Sequence, residues 1–460
     1  MRLMGLIVFA SVAGLAAAAG GRPPNVVFIL ADDLGYADVA CYGHAYARTP
    51  NIDQLARDGT RFTQFYSTGV TCCPARTGLM TSRWPASFHE YPAGAGFGDR
   101  VTITQLLHDA GYRTGHFGKW HIGPVEKPGT YGIDVVGTDD EAEGGKRNAK
   151  RGDARHDRGR DAHIYDQVIA FIEKNKDEPF YVNVWDHVSH FPVDPAAKYA
   201  EMFKDVVVDE SKFSPYMKEK FDTCRKQGGD VNACMRNYLG DVYSLDEDIG
   251  RLLGKIDELG LRDDTIVVFS SDQGPGPVVN AHRDSKKGAE QARTRLNMMG
   301  YVGDLRGGKH GMYEGGVRVP FIVRWPGHTP AGRTDERSVI SGIDWLPTLC
   351  HLAGVRAPED IEGQDVSAAW QGTPFTRSKA LLWKVSNPRS DLGIREGNWK
   401  LVHPNQKRGE VELFDISADP GERHNLAASR PEVAKALTAK VMAWNATLPK
   451  DYVKTQDRDK

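Results

Sequence analysis

Cys72 and Cys73 stand side by side ahead of Pro74-Ala75-Arg76, and the run 77–82 that follows can continue as a helix. A cysteine at the N-terminal end of a helix faces unpaired backbone N–H groups and the positive end of the helix dipole. Such a seat suits a nucleophile that must handle an anion. The pair also has an ordinary explanation, since buried cysteines pack as small apolar residues. Asp32 and Asp33 form a second cluster, adjacent carboxylates directly after the apolar run 25–30. At the end of a buried strand they repel each other and lose hydration, so they need a cation or hydrogen-bond donors to stay charged. A helix cap beside a surface acid would explain the same two residues. Lys119, His121, His187, His190, Asp272, Gln273 and Lys309 complete the set of side chains able to bind an anion, carry a proton or offer oxygen to a metal.

The elements that must position these groups follow from hydrophobic patterning. Segments 25–30, 180–185 and 265–269 are short continuous apolar runs, as expected of strands buried on both faces of a parallel sheet. Segments 59–66 and 112–117 read as further strands. Helices are expected from Thr49 or Asn51 onward, over 103–110, over 165–174 and over 238–259, the last with core packing and no catalytic duty. Strands alternating with helices imply a mostly parallel sheet of the α/β class, and such sheets bind ligands beyond the carboxyl ends of their strands. Asp32, Asp33, Lys119, His121, His187, His190, Asp272 and Gln273 all follow predicted strands and should gather at one edge. If the chain runs extended there, Lys119 and His121 lie two apart and share a face; a solvated lysine beside a core histidine is the alternative.

A chain of 460 residues suits one large domain with a smaller companion. Lys+Arg number 59 against 61 Asp+Glu, so whole-chain charge neither favours nor disfavours a polyanionic partner; no nucleic-acid partner is expected. A basic start, an apolar run over 3–19 and Ala17-Ala18-Ala19 before Gly20 read as a signal peptide over residues 1–20. That run is short and Ala-rich for a membrane anchor, so the mature protein is expected to be secreted or periplasmic, with no stable membrane insertion. Of six cysteines, Cys224 and Cys234 flank a polar Gly-Gly loop that they could close, while Cys41 and Cys350 read as lone buried thiols. Spacing alone does not settle the pairing, and without a C-x-x-C pair a zinc ribbon is not expected. Stretch 141–160 is polar and reads as an exposed loop.

Several blocks together resemble the type I sulfatases. Cys72 with Pro74, Ala75 and Arg76 gives C-x-P-A-R, and only Cys72 is in register, with Cys73 filling the variable position. ADDLG around Asp32-Asp33, GKWHIG, the H-x-P of His190, SDQG and G-G-K-x-x-x-x-E-G-G-V-R-V-P occur in the family's order, and segments 394–402, 412–415 and 419–422 are similar to its C-terminal hairpin region. The resemblance implies an alkaline-phosphatase-like α/β fold, with a catalytic domain over 22–372 and a C-terminal α+β subdomain over 373–460 that carries a helix over 431–444. It implies that Cys72 is converted by a formylglycine-generating maturation enzyme to 3-oxoalanine (formylglycine), an aldehyde hydrated at rest. One hydroxyl would attack sulfur and the other would later expel sulfate.

By the same resemblance Asp32, Asp33, Asp272 and Gln273, with the matured Cys72, bind one divalent cation. Four oxygen donors suit Ca2+ better than Zn2+; Gln273 departs from the asparagine frequent there. Lys119 and Lys309 would hold sulfate oxygens, Arg76 would order the nucleophile loop, His121 would contact a formylglycine hydroxyl, and His190 would protonate the leaving oxygen. His187 has no such family match, and substrate binding is the role expected of it instead. The expected activity is hydrolysis of sulfate esters, of carbohydrate above all. A phosphoesterase or phosphonate monoester hydrolase of the same superfamily is the alternative, and a non-catalytic binding protein with unconverted Cys72 is a third reading.

Overall fold

The computed structural model describes residues 22–89, 91, 96–123, 128–137, 156–278, 295–385, 391–404 and 409–452. The signal-peptide expectation over 1–20 lies outside them, as does the polar stretch up to residue 155. No helix among the described residues is long and apolar enough to cross a membrane.

A nine-stranded sheet forms the centre. Its strands are β1 (Asn25–Ala31), β2 (Thr60–Tyr66), β3 (Arg113–Gly118), β4 (Val135–Val136), β5 (Phe180–Trp185), β6 (Thr265–Ser271), β7 (Arg318–Arg324), β8 (Arg333–Asp335) and β9 (Ile340–Ser341). They run in the order β4-β3-β5-β1-β6-β7-β2-β8, with β9 also on β2. Strands β4 to β6 are mutually parallel, and β7 runs antiparallel to both β6 and β2. All seven residues of β1 are buried. Because side chains alternate along a strand, Val27, Ile29 and Ala31 enter one core while Val26, Phe28 and Leu30 enter the other. That two-sided burial is why the sequence shows a continuous apolar run there.

Helices cover both faces. They include α1 (Pro50–Asp58), α2 (Cys72–Thr81), α3 (Ile103–Asp109), α4 (Ala162–Asn175), α5 (Ala197–Glu201), α6 (Pro215–Lys226) and α7 (Val231–Glu258). Helix α1 starts with Pro50, whose missing N–H costs nothing at that position. Its next amides, Asn51 and Ile52, donate to Asp246 of α7 at 3.1 and 2.8 Å, so the cap comes from across the core. Cys224 and Cys234, on α6 and α7, bring their buried thiols to 3.7 Å.

A separate four-stranded antiparallel sheet, β10 (Leu381–Lys384), β11 (Leu392–Glu396), β12 (Trp399–His403) and β13 (Glu412–Asp415), packs against the C-terminal helix Pro431–Thr447. Leu437 and Val441 are buried there, with Val433 and Trp444 partly so. Lys400 of β12 anchors this sheet to the large one. Fully buried, it lies 2.8 Å from Glu314 and 3.0 Å from Glu422.

Register sets the site. Leu30 lies beside Trp185, Ala31 beside Ser271, and Gly118 beside Trp185. Strands β3 and β5 therefore end one residue before β1 and β6, so Lys119 and Asp186 fall in one row and Asp32 and Asp272 in the next.

Candidate active site

Cys72 is the first residue of α2, so the cysteine sits at the N-terminal end of the helix, as expected. Thr71 before it is extended, and its side chain makes no capping bond. All ten residues of the helix are buried. Arg76 lies one turn on, on the same face as Cys72, and is wholly buried. Its guanidinium donates to Asp272 Oδ2 from Nε at 3.0 Å and Nη2 at 2.8 Å, and to the Lys119 carbonyl at 2.6 Å. It also lies 5.0 Å above the Trp185 ring. Arg76 thus joins the ends of β3, β5 and β6 to the cysteine's helix.

Around the Cys72 sulfur the charges alternate. The thiol donates to Asp32 Oδ1 at 3.2 Å, and Asp33 Oδ1 stands at 3.7 Å. Lys309 Nζ reaches Sγ at 3.3 Å, the Gln273 amide nitrogen at 3.5 Å and Lys119 Nζ at 3.6 Å. Lys119 also pairs with Asp32 Oδ2, and Lys309 with both oxygens of Asp33, at 2.6 and 2.8 Å. The Lys309 segment is drawn in by close backbone contact. A Cβ on Gly274 would fall 1.9 Å from the Gly315 carbonyl oxygen, so only glycine fits.

Burial would push the Asp32 carboxyl up, but Lys119, then His190, Arg76 and Lys309, hold it well below the ordinary carboxylate range. Asp272 goes the other way. Burial lifts it to about 7 against the pull of Arg76, with Asp32 and Asp33 adding repulsion. Burial lowers both lysines, yet Asp32 and Asp33 outweigh it and leave Lys119 and Lys309 raised. Burial, followed by Asp32, raises the Cys72 thiol, which is therefore a poor nucleophile as it stands.

Oxygens of Asp32, Asp33 and Asp272 lie within 4.8 Å of one another. The amide oxygen of Gln273 is buried with no hydrogen-bond partner among the described residues, while its nitrogen faces Asp33. Three crowded carboxylates and an orphaned amide oxygen are a donor set that fits a hard divalent cation.

His190 brings a ring nitrogen within 4.8 Å of both Cys72 Sγ and Asp32. Its Nδ1 donates to the Phe191 carbonyl at 2.8 Å, which leaves Nε2 to face the site, 3.9 Å from Asp33. His187 is nearly enclosed, and its Nδ1 donates to Asp161 at 3.0 Å. His121 sits at the rim. Its backbone is left-handed (φ 56°), so the chain turns after Lys119, and extended alternation does not describe the pair. The ring has open surface yet protein on most sides. Loss of hydration, then Lys119 and Arg76, pulls its pKa down to about 4.

Sequence reasoning missed Asp161, Arg160 and the buried acids of α7. Asp161 accepts the His187 and Val188 amides at 2.8 and 2.9 Å. It adjoins the polar stretch read as exposed loop, and nothing along the chain marks it as a partner of residues 26 positions away.

The family description "Sulfatase" matches residues 24–355, and "N-sulphoglucosamine sulphohydrolase, C-terminal" matches residues 308–446. Arylsulfatase A of Homo sapiens is 30% identical, covering 94% of this chain and 89% of that protein. N-acetylgalactosamine-6-O-sulfatase of Bacteroides thetaiotaomicron is 28% identical over 91% of this chain and 92% of its own. Among solved structures, Ps i-CgsB in complex with k-i-k-neocarrahexaose superimposes with a TM-score of 0.75, at 24% identity, over 95% of this chain and 96% of that one. The phosphonate monoester hydrolase of Agrobacterium radiobacter shares the fold at a TM-score of 0.67 and 20% identity, over 93% of this chain and 97% of that one. With both the family match and this architecture in hand, the chain belongs to the type I sulfatases of the alkaline-phosphatase-like superfamily and is a sulfuric ester hydrolase.

Proposed function

We propose that this chain hydrolyses sulfate esters of glycans, using a formylglycine made from Cys72 and one bound Ca2+. The observation that carries the reading is the setting of Cys72. Two lysine ammoniums lie within 3.6 Å of its sulfur, beside the aspartate cluster and a histidine nitrogen. The glycan part rests on relatives named as N-acetylgalactosamine-6-O-sulfatase and N-acetylglucosamine-6-O-sulfatase.

Asp32, Asp33, Asp272 and Gln273 would hold the cation. Such a cation supplies charge neutralisation and polarises the oxygen it touches, and the matured side chain supplies an oxygen nucleophile tethered to the protein. Lys119 and Lys309 grip the sulfuryl oxygens and bear the charge that grows on them. Arg76 locks Asp272 and the Lys119 backbone in place and so keeps the site preorganised. His190, protonated at both ring nitrogens, keeps Nδ1–H on the Phe191 carbonyl and hands the Nε2 proton to the departing sugar oxygen, ending neutral. His121, at the rim, contacts the matured residue 72. His187 stands behind His190 as part of the substrate-binding loop. Residues 22–372 form the catalytic domain, 373–460 the C-terminal subdomain, and a signal peptide over 1–20 directs export to the periplasm or medium.

The test is a library of sulfated mono- and oligosaccharides with matched phosphate esters, run on protein from a host that carries the maturation enzyme, with mass spectrometry of the Cys72 peptide. Release of sulfate, together with an aldehyde at position 72, is the expected result. Turnover confined to phosphate or phosphonate esters would assign the alternative chemistry, and an unconverted Cys72 in the native protein would leave only a binding role.

A further inference from the structure

We propose that Arg160 and Asp161 are a positioning pair that clamps the loop 186–192 from both sides and thereby sets the aim of His190. The inference rests on the sulfatase chemistry proposed above. The two residues are adjacent in the chain, just before α4, yet they grip opposite kinds of backbone group in the same loop.

Asp161 takes the donors. Its Oδ2 accepts the amides of His187 and Val188, and its Oδ1 accepts Nδ1–H of His187 at 3.0 Å. The carboxylate is 1% exposed. Burial would raise its pKa, but His187, by hydrogen bond and charge, then Arg160, draws it down to about 2, so the clamp is ionised. Arg160 takes the acceptors. Its Nη1 donates to the carbonyls of His190 at 2.7 Å, Pro192 at 3.2 Å and His187 at 3.4 Å.

Between these anchors lies a turn closed by the His190 amide on the His187 carbonyl at 2.9 Å. His190 has its own tether, Nδ1 on the Phe191 carbonyl, but that bond is local. It orients the ring relative to the loop and does nothing to place the loop. Among the described residues, Arg160 and Asp161 tie this loop's polar backbone to the start of α4, while on the other flank the Asp32 amide donates to the Val188 carbonyl at 2.9 Å and its carbonyl accepts the Ser189 amide at 2.8 Å. Charge-assisted hydrogen bonds of this kind are roughly twice as strong as neutral ones. A proton donor must lie within hydrogen-bond reach of the departing oxygen, and a 1 Å misplacement can cost about a hundredfold. Neither residue touches the reacting atoms, so both act through His190.

The two arms of the test separate this proposal from the proposed function. The first is amide hydrogen exchange in Asp161→Ala and Arg160→Met, on full-length protein, with melting temperature as a check of folding. Loss of protection concentrated in the 186–192 peptide is expected. Unchanged exchange there overturns the clamp, whatever the enzyme's activity. The second arm compares kcat/KM on aryl sulfates of increasing leaving-group basicity. Both variants should steepen the dependence, with a loss of roughly ten- to a hundredfold on the poorest leaving group and little on the best. In a His190→Ala background neither should add to the steepening. Asp161→Asn, whose single oxygen can serve the two backbone amides while its NH2 faces His187 Nδ1, should fall between wild type and Asp161→Ala. Equal loss on every leaving group, or additivity with His190→Ala, means a merely structural role and overturns the proposal. If the wild type hydrolyses no sulfate ester, the proposed function fails while the exchange arm still judges the clamp.

Discussion

At the scale of single residues, the two cysteines separate cleanly. Cys72 Sγ touches two aspartates and two lysines, whereas Cys73, the next residue and also buried, has its thiol raised to about 12, by burial first. Cys72→Ala is therefore expected to abolish sulfate release and Cys73→Ala to retain it, read as turnover in protein of unchanged melting temperature. The histidines divide in the same way. General acid catalysis contributes on the order of a hundred- to ten-thousandfold where the leaving oxygen is basic. His190→Ala should therefore lose far more rate on a sugar sulfate than on an activated aryl sulfate, while His187→Ala, whose ring is held by Asp161, should affect both alike. Exchange of these two patterns in kcat measurements would exchange the roles. The carboxylate cluster makes a third prediction. A cation bound only by the folded state stabilises it by about 2.7 kcal/mol at a hundred times its Kd. Excess chelator should lower the melting temperature and remove activity, and Gln273→Leu, which deletes the unpartnered buried oxygen, should require more Ca2+ to restore both. Full activity in exhaustively demetallated protein would contradict the assignment.

At the scale of elements, α7 does more than pack. Its apolar spacing is read correctly as core-forming, yet its inner face also carries Asp241, Asp246 and Asp248. Asp246 is put to use as the cap of α1. Asp241 is 1% exposed, and both its oxygens lack a hydrogen-bond partner among the described residues. Burial lifts its pKa to about 7 against Arg160, and Asp161 and Asp194 push it further up. The folded-state value thus lies above the unfolded one, near 4. The group's contribution is fully favourable below pH ~4 and is lost as pH rises through about 7. Asp241→Asn should leave the melting temperature nearly unchanged at pH 4 and raise it at pH 8. Each unit of pKa displacement is worth about 1.4 kcal/mol, so the gain is expected to reach a few kcal/mol. A variant no more stable than wild type at pH 8 would show that the charge is solvated or paired in solution.

At the scale of the whole molecule, the small sheet is joined to the lysine-bearing segment by buried charge. Glu314 accepts from Lys400 at 2.8 Å and from Tyr66 at 2.6 Å, while Glu422 accepts the Glu314 amide at 2.7 Å. Lys400 also faces Glu422 Oε1 at 3.0 Å, as an ion pair without hydrogen-bond geometry. Removing one partner of a buried pair costs about 3–5 kcal/mol because the other charge is left uncompensated. Lys400→Met should lower the melting temperature accordingly. Because Glu314 closes the segment that begins with Lys309, it should also weaken sulfate-ester turnover, a loss that Lys400→Arg partly spares. Activity at the wild-type level in a strongly destabilised Lys400→Met protein would show that the two sheets are energetically linked but functionally separate.

What the sequence determined by itself were the features written along the chain within one turn or one strand. The continuous apolar run of β1 requires burial on both faces. The segment from Thr49 to Asn51 opens α1, and the apolar residues of 238–259 demand a packed helix. The C-x-P-A-R block, the paired aspartates and the strand-end positions of Lys119, His190 and Asp272 exposed the candidate site, because a parallel sheet sends the ends of its strands to one edge. What only the tertiary structure decided were encounters between distant segments. The left-handed turn at His121 breaks an alternation that the bare sequence implies. The antiparallel entry of β7 brings Lys309 to the cysteine. Asp161 meets His187 across 26 residues, and Lys400 meets Glu314 across 86. Periodicity and capping follow from backbone geometry and can be read locally, whereas the partner of a buried charge is whichever group the packing delivers, and no spacing along the chain encodes it.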